Sequence, residues 1–291
     1  MMPVMADLTR RAALRLGVGA AGAAGLFGSG TLRTVTPAGA TPPAAPPDPT
    51  GPAAAGNAYP TRESGSFVSA ARGGLETNWI IARPPGQTGP LRPVIALHCK
   101  DGDAAWVMDL GVEEELAKLT ASGRPPFAVV AVDGGNTYWR PHGSGDDAGA
   151  MVLHELIPML AGKGIDTSRV GFMGWSMGGY GAMLLGTRLG AARTAGICAI
   201  SPAIYMTYFG APAGAFDSVD DWRKNSVFGL APQLAPIPLR VDCGTSDTFY
   251  YATNHFVSQL NPRPAGGFSP GGHDVSYWRA QLPAELTWMG S

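Results

Sequence analysis

Along the 291-residue chain, short apolar runs alternate with longer stretches of helical spacing. "NWIIARP" (78–84) and "PVIALHC" (93–99) read as strands. The second is apolar almost throughout, as a strand buried on both faces of a parallel sheet must be. "GVEEELAKLTAS" (111–122) repeats its apolar positions at helical spacing and carries its acids at the N-terminal end, where the helix dipole favours them. The alternation continues with a strand at 127–135, a helix at 146–163, the strand "RVGFMGW" (169–175) and the helix "MGGYGAMLLGTRLG" (177–190). "TAGICAIS" (194–201) and "PLRVDCG" (238–244) add two strands, and helices follow through "TNHFVSQL" (253–260) and "SYWRAQLPAELTWM" (276–289). Between 202 and 238 the pattern breaks into prolines, glycines and aromatics, as in a small cap-like insertion. Strand–helix alternation of this kind predicts a doubly wound, mostly parallel α/β sheet with helices on both faces. In such sheets ligands bind beyond the carboxyl ends of the strands.

The two ends of the chain differ sharply. Residues 1–40 combine a basic start (Arg10, Arg11, Arg15), an uncharged Ala/Gly/Leu stretch and the small residues Ala38–Ala40, the layout of an export signal. The Arg10–Arg11 pair, with Thr9 before it and Leu14 after it, has the form of a twin-arginine signal. Residues 41–61 are a Pro/Ala-rich linker, which leaves 62–291 as the folded domain. Gly17, Gly19 and Gly22 satisfy G-x-G-x-x-G, but no strand, helix or spaced acid surrounds them, so the dinucleotide reading fails. The expected location is therefore outside the cytoplasm, secreted or in the cell envelope.

Composition narrows the partners. A net charge of −1 with 15% charged residues offers no basic stripe, so no nucleic-acid partner is expected. The glycine-rich leader is too weakly apolar for a stable membrane span. Cys99, Cys198 and Cys243 each sit in or at the end of an apolar run, where buried free thiols are the expectation, although one pair remains open to oxidation.

The chemistry concentrates at "GFMGWSMGGYG" (171–181). Gly174-Trp175-Ser176-Met177-Gly178 fits G-x-S-x-G at a strand-to-helix junction, where a sharp turn exposes the serine hydroxyl as a nucleophile. A phosphate loop would need a Lys-Ser or Lys-Thr pair, and none follows. A serine needs a base, and the base an orienting acid, in the chain order Ser, Asp, His. Asp247 lies just past the 238–244 strand, and His273 lies in a glycine-rich loop before the last helix. Asp242 is a rival acid, but it falls inside a strand; Asp274 adjoins His273 and is poorly placed to face it. The Met177 amide at the helix N-terminus and the Lys100 amide after "VIALHC" are the expected oxyanion donors. Trp106, Tyr138, Trp139, Trp175 and His98 cluster at strand ends, where they line a substrate pocket or pack the cap and core. His142, His154 and His255 fit no metal spacing, and His154-Glu155 lacks a second histidine. Neither a metal nor another cofactor is expected.

"LHC", "HELIPML", "RVGFMGWSMGGYGAM", "CGTSDTFY" and "GGHDVSYWRAQL" together resemble the esterase-D-like esterases of the α/β-hydrolase fold. That group includes S-formylglutathione hydrolases, feruloyl esterases and secreted mycolyltransferases. The resemblance spans about residues 90 to 285, and its last piece is most similar to the mycolyltransferases. It implies an α/β-hydrolase fold and a serine esterase acting on a small-molecule or cell-envelope lipid or glycan ester. The alternatives are transfer of an acyl group to a sugar hydroxyl and a non-catalytic binding protein. Two departures stand out: Cys99 where the family usually has glycine, and few β-formers in "PRPAGGFSPGG" before His273.

Overall fold

The computed structural model describes residues 58–291. The export signal read over 1–40 and most of the linker read over 41–61 lie outside the described residues. An eight-stranded sheet organises the rest, in the order β1-β2-β4-β3-β5-β6-β7-β8. The strands are β1 (Arg62–Ser69), β2 (Leu75–Ala82), β3 (Pro93–Leu97), β4 (Ala128–Val132), β5 (Val170–Trp175), β6 (Thr194–Ile200), β7 (Leu239–Gly244) and β8 (Ala265–Ser269). β2 pairs antiparallel with β1 and β4, and the remaining pairs are parallel. This is the mostly parallel α/β sheet that the alternating pattern predicts.

Side-chain alternation along the central strands builds two cores. Ile95, Leu97, Phe172, Ile197 and Ala199 face one layer, whereas Val94, Ala96, Met173, Cys198 and Ile200 face the other. α1 (Ala104–Asp109), α2 (Val112–Ala121) and α9 (Val275–Met289) cover the second layer. The first is covered by α3 (Ala148–Met151), α4 (Ile157–Ala161), α5 (Met177–Leu189) and α8 (Tyr250–Ser258). The insertion after β6 carries α6 (Val219–Asn225) and α7 (Ala231–Leu234) over this same layer.

Two departures from the sequence expectation, at β1 and in the helix over 146–163, have local causes, and the scarcity of β-formers before His273 shows in β8. β1 has a mostly exposed, polar sequence, RESGSFVS, because it is an outer strand held by a single neighbour. β8 is short and half exposed, with Gly266 and Gly267 at positive φ; its register with β7 comes from backbone pairing, not β-forming side chains. The helix expected over 146–163 contains a π-helical turn at Val152–Leu156. Glu155 in that turn accepts from Ala71 N–H (2.8 Å) and Ser69 Oγ–H (2.5 Å), tying the helix to the β1–β2 connection.

Candidate active site

β5 enters the elbow through Gly174, and α5 leaves it through Met177. Ser176 between them has φ 55° and ψ −115°, a conformation disfavoured for any residue with a Cβ. It is held there by its backbone: its N–H donates to Ile200 O (2.9 Å), and its C=O accepts from Tyr180 N–H (3.1 Å) and Ala203 N–H (2.9 Å). The glycines of the motif make this approach possible. A Cβ on Gly178 would collide with the Leu97 carbonyl, and one on Gly174 with the backbone of Gly178. Helix α5 thus starts directly against the carboxyl end of β3.

Asp247 follows β7, and His273 precedes α9. Their loops are stapled together by Thr245 N–H to Ser269 O (2.8 Å) and Ser246 N–H to Gly271 O (2.9 Å). His273 Nδ1 lies 3.0 and 2.9 Å from the two Asp247 carboxylate oxygens, and its Nε2 lies 2.9 Å from Ser176 Oγ. With the proton on Nδ1 donated to Asp247, Nε2 is free to accept the serine hydroxyl. Asp247 Oδ1 also accepts from Phe249 N–H (2.7 Å), and the Asp247 side chain has no exposed surface. Burial alone would raise its pKa, but the hydrogen bonds from His273 and the Phe249 amide leave it below the ordinary aspartate value. Asp247 is therefore a carboxylate at neutral pH, fixed in orientation. Asp242 stands apart, its carboxylate taken up by Arg240 at 2.6 and 3.1 Å. Asp274 caps α9 by accepting from Tyr277 N–H (3.0 Å).

The loop after β3 faces the elbow. The Lys100 and Met177 amides carry no acceptor among the described residues, which leaves both N–H groups available. His98 fixes the first of them. Its Nε2 accepts from Gly134 N–H (2.9 Å), so the ring proton sits on Nδ1 and donates to Cys99 O (2.7 Å). Burial lowers the His98 pKa, in keeping with a neutral ring. Cys99 O and Lys100 N–H belong to one planar trans peptide and point in opposite directions. Anchoring the carbonyl, which Gly102 N–H also bonds at 3.1 Å, therefore aims the amide. Asn136 braces the next residue, accepting from Asp101 N–H (2.8 Å) and donating to Asp101 Oδ1 (2.7 Å). Cys99 in place of glycine is accommodated half-buried with a free thiol, and burial pushes its pKa up to about 11.

Several residues expected to line a pocket are elsewhere. His98, Trp139 and Trp175 have no exposed surface and cannot touch a ligand. Trp139 is folded back into the core because Tyr138 and Trp139 both adopt positive φ (52° and 54°). Its ring fills the space left by Gly134 and Gly181, where any Cβ would overlap it. Trp175 points to the opposite core and meets Trp106 edge-on (5.9 Å between centroids). Trp106 is half-buried, and Tyr138 is nearly buried with its hydroxyl 2.8 Å from that of Tyr205. The rings that flank His273 are ones the sequence reading missed: Phe249 and Trp278, each 5.1 Å away between centroids. Their signal was positional, since Phe249 follows Asp247 in its loop and Trp278 lies one helical turn into α9. The remaining histidines are distant in role. His142 bonds Asp217 Oδ1 (2.9 Å) and Thr137 O (2.7 Å), pinning the insertion, while His154 and His255 are exposed. The three cysteines are free thiols, and no cluster of metal-ligating side chains occurs among the described residues.

Comparison with known proteins agrees with this architecture. No curated protein matches the sequence. Among solved structures, a ferulic acid esterase is 20% identical with a TM-score of 0.68, covering 79% of this chain and 96% of its own. An S-formylglutathione hydrolase from Agrobacterium tumefaciens is 18% identical with a TM-score of 0.65, covering 79% and 94%. The Mycobacterium tuberculosis protein MPT51 is 18% identical with a TM-score of 0.60, covering 77% and 97%. At these identities the likeness establishes the α/β-hydrolase fold. The family model described as "Putative esterase" matches residues 72–289, and the chain belongs to that esterase family.

Proposed function

We propose that this protein is an exported serine esterase that hydrolyses carboxylic esters through an acyl-enzyme on Ser176. The observation that carries the reading is the continuous hydrogen-bonded chain from Asp247 through His273 to Ser176 Oγ. Ser176 Oγ attacks the ester carbonyl while His273 Nε2 takes its proton. The negative charge that develops on the carbonyl oxygen is met by the Met177 and Lys100 amides. One such donor is worth about 3 kcal/mol in the transition state. His273 then protonates the departing alcohol, and a water activated by the same nitrogen releases the acid. Asp247 holds the imidazole in the required tautomer and stabilises the imidazolium.

The twin-arginine-like leader supports export, and the aromatic surroundings of His273 support an organic ester as substrate. Transfer to a sugar hydroxyl would use the same residues, with the acceptor replacing water in the second step. The test is hydrolysis of p-nitrophenyl acetate by the wild-type protein and by Ser176→Ala. The expected result is turnover that disappears with the hydroxyl. Activity retained in Ser176→Ala overturns the mechanism, and product release that requires an added sugar favours transfer.

A further inference from the structure

The amino ends of the parallel strands, opposite the triad, carry a run of like charge. Arg92, Arg169 and Arg193 stand immediately before β3, β5 and β6, which are neighbours in the sheet. The pairing of Val94 with Gly171, and of Val170 with Thr194, extends back along the strands to set the backbones of the three arginines side by side. Neighbouring strands lie about 4.8 Å apart, and like charges directly opposite each other are destabilising. None of the three forms an ion pair among the described residues.

Two of them line one cavity of about 290 Å³, together with Gly196, Pro238, Trp288 and Ser291 among others. The six residues of β5 separate it from Ser176, about 20 Å at about 3.3 Å per residue, so it lies apart from the catalytic site. Arg92 donates from Nη2 to Met289 O, and Arg169 from Nη2 to Thr194 O (3.0 Å). The Nε and Nη1 groups of both have no partner among the described residues. Burial holds the Arg92 pKa below its ordinary value, and the charged neighbour that lowers it further is Arg169. The cavity therefore gathers two positive charges that no carboxylate neutralises by direct contact.

Charge and shape select the ligand. Guanidinium forks match the oxygens of a phosphate, and a phosphate monoester carries about −1.5 to −2 charges at pH 7, where a carboxylate carries one. The volume is close to the roughly 300 Å³ at which small-molecule sites begin, and Trp288 supplies an aromatic wall for an organic body. We propose that this cavity binds a phosphate monoester, with the phosphate between Arg92 and Arg169 and its organic part against Trp288. Such binding requires no activity at Ser176.

The experiment is calorimetric titration of the full chain with phenyl phosphate, benzoate and inorganic phosphate. Phenyl phosphate should bind about tenfold or more tighter than benzoate, which shares its ring but carries less charge. Arg169→Gln should weaken phenyl phosphate about tenfold or more by removing a charge-assisted hydrogen bond. Arg279→Gln removes the same charge from an arginine that also bonds a backbone carbonyl (Asp109 O, 2.7 Å) but lies outside the cavity, and should change affinity less than about twofold. Trp288→Ala should weaken phenyl phosphate and leave inorganic phosphate unchanged. Thermal unfolding guards against a folding defect. Without ligand, Arg169→Gln should melt no lower than wild type, since a like-charge repulsion is gone. Phenyl phosphate should raise the melting temperature of wild type and Arg279→Gln but not of Arg169→Gln. No binding at millimolar phenyl phosphate, wild-type affinity in Arg169→Gln or Trp288→Ala, or an equal loss in Arg279→Gln overturns the proposal. Co-sedimentation with phosphatidate vesicles distinguishes the source. Retention that Arg169→Gln abolishes places the phosphate on a lipid headgroup, and phenyl phosphate binding without such retention places it on a soluble ester.

Discussion

The anchoring of the Cys99–Lys100 peptide by His98 can be tested by dividing the imidazole into its two halves. The ring both donates from Nδ1 to Cys99 O and accepts at Nε2 from Gly134 N–H. Asparagine reaches the Nδ1 position with its amide nitrogen and can keep the bond to Cys99 O, while leaving Gly134 N–H without an acceptor. Glutamine reaches the Nε2 position and can keep the Gly134 bond, while leaving Cys99 O with the Gly102 amide alone. Each variant loses one buried hydrogen bond, about 1–3 kcal/mol of stability, so the two should unfold at similar denaturant concentrations. Their turnover should differ. Complete loss of an oxyanion donor lowers kcat about 100- to 1,000-fold. With the Gly102 bond remaining, the Lys100 amide is loosened but not removed, so His98→Gln should lose on the order of tenfold to a hundredfold in kcat with little change in KM. His98→Asn should stay within about fivefold of wild type. Steady-state kinetics on p-nitrophenyl acetate, paired with urea denaturation of both variants, makes the comparison. Equal kcat in the two variants, or a His98→Gln enzyme within twofold of wild type, would refute the peptide-orientation argument.

Other consequences follow from the same structure. Asp247→Asn should reduce turnover about 10,000-fold by permitting the wrong imidazole tautomer, whereas Asp242→Asn should cost less than about tenfold, because Asp242 is bound to Arg240 and not to His273. Glu285 on α9 is fully buried, neither carboxyl oxygen has a partner among the described residues, and burial pushes its pKa well above 4.5. The folded protein keeps this proton while the unfolded chain releases it above about pH 4.5, so stability falls as pH rises through that window. Glu285→Gln should remove the decline, gaining on wild type by up to about 1.4 kcal/mol per pH unit from pH 5 upward. Parallel denaturation profiles at pH 5, 6.5 and 8 would contradict this. Gly178→Ala should abolish activity and lower yield of folded protein, since its methyl group must displace the Leu97 carbonyl at the end of β3.

What the amino-acid sequence made legible is what depends on local chemistry and chain order. The elbow could be read because a strand, a serine between glycines and a small-residue helix are contiguous. Asp247 and His273 could be read because each follows or precedes a recognisable element. Facing directions were not legible. At the end of a strand the period-2 alternation stops, so nothing in "DGGNTYWR" says that the chain reverses at Tyr138 and Trp139 and buries the tryptophan against Gly181. His98 belongs to the same class: its residue type suggests a ligand contact, but its ring is turned between the carbonyl of its neighbour Cys99 and the Gly134 amide, 36 residues further along the chain. β1 escaped because an outer strand facing water needs no apolar run, whereas the scarcity of β-formers before His273 already pointed to a short, irregular last strand, and β8 is held by backbone pairing alone.

The central claim, that Ser176 is a nucleophile activated by His273, is tested most directly by mass spectrometry after exposure to a fluorophosphonate. The account predicts a single adduct on the peptide containing Ser176, absent in Ser176→Ala and formed at a strongly reduced rate in His273→Ala. An adduct on another residue, or labelling of Ser176 at an undiminished rate without His273, would contradict it.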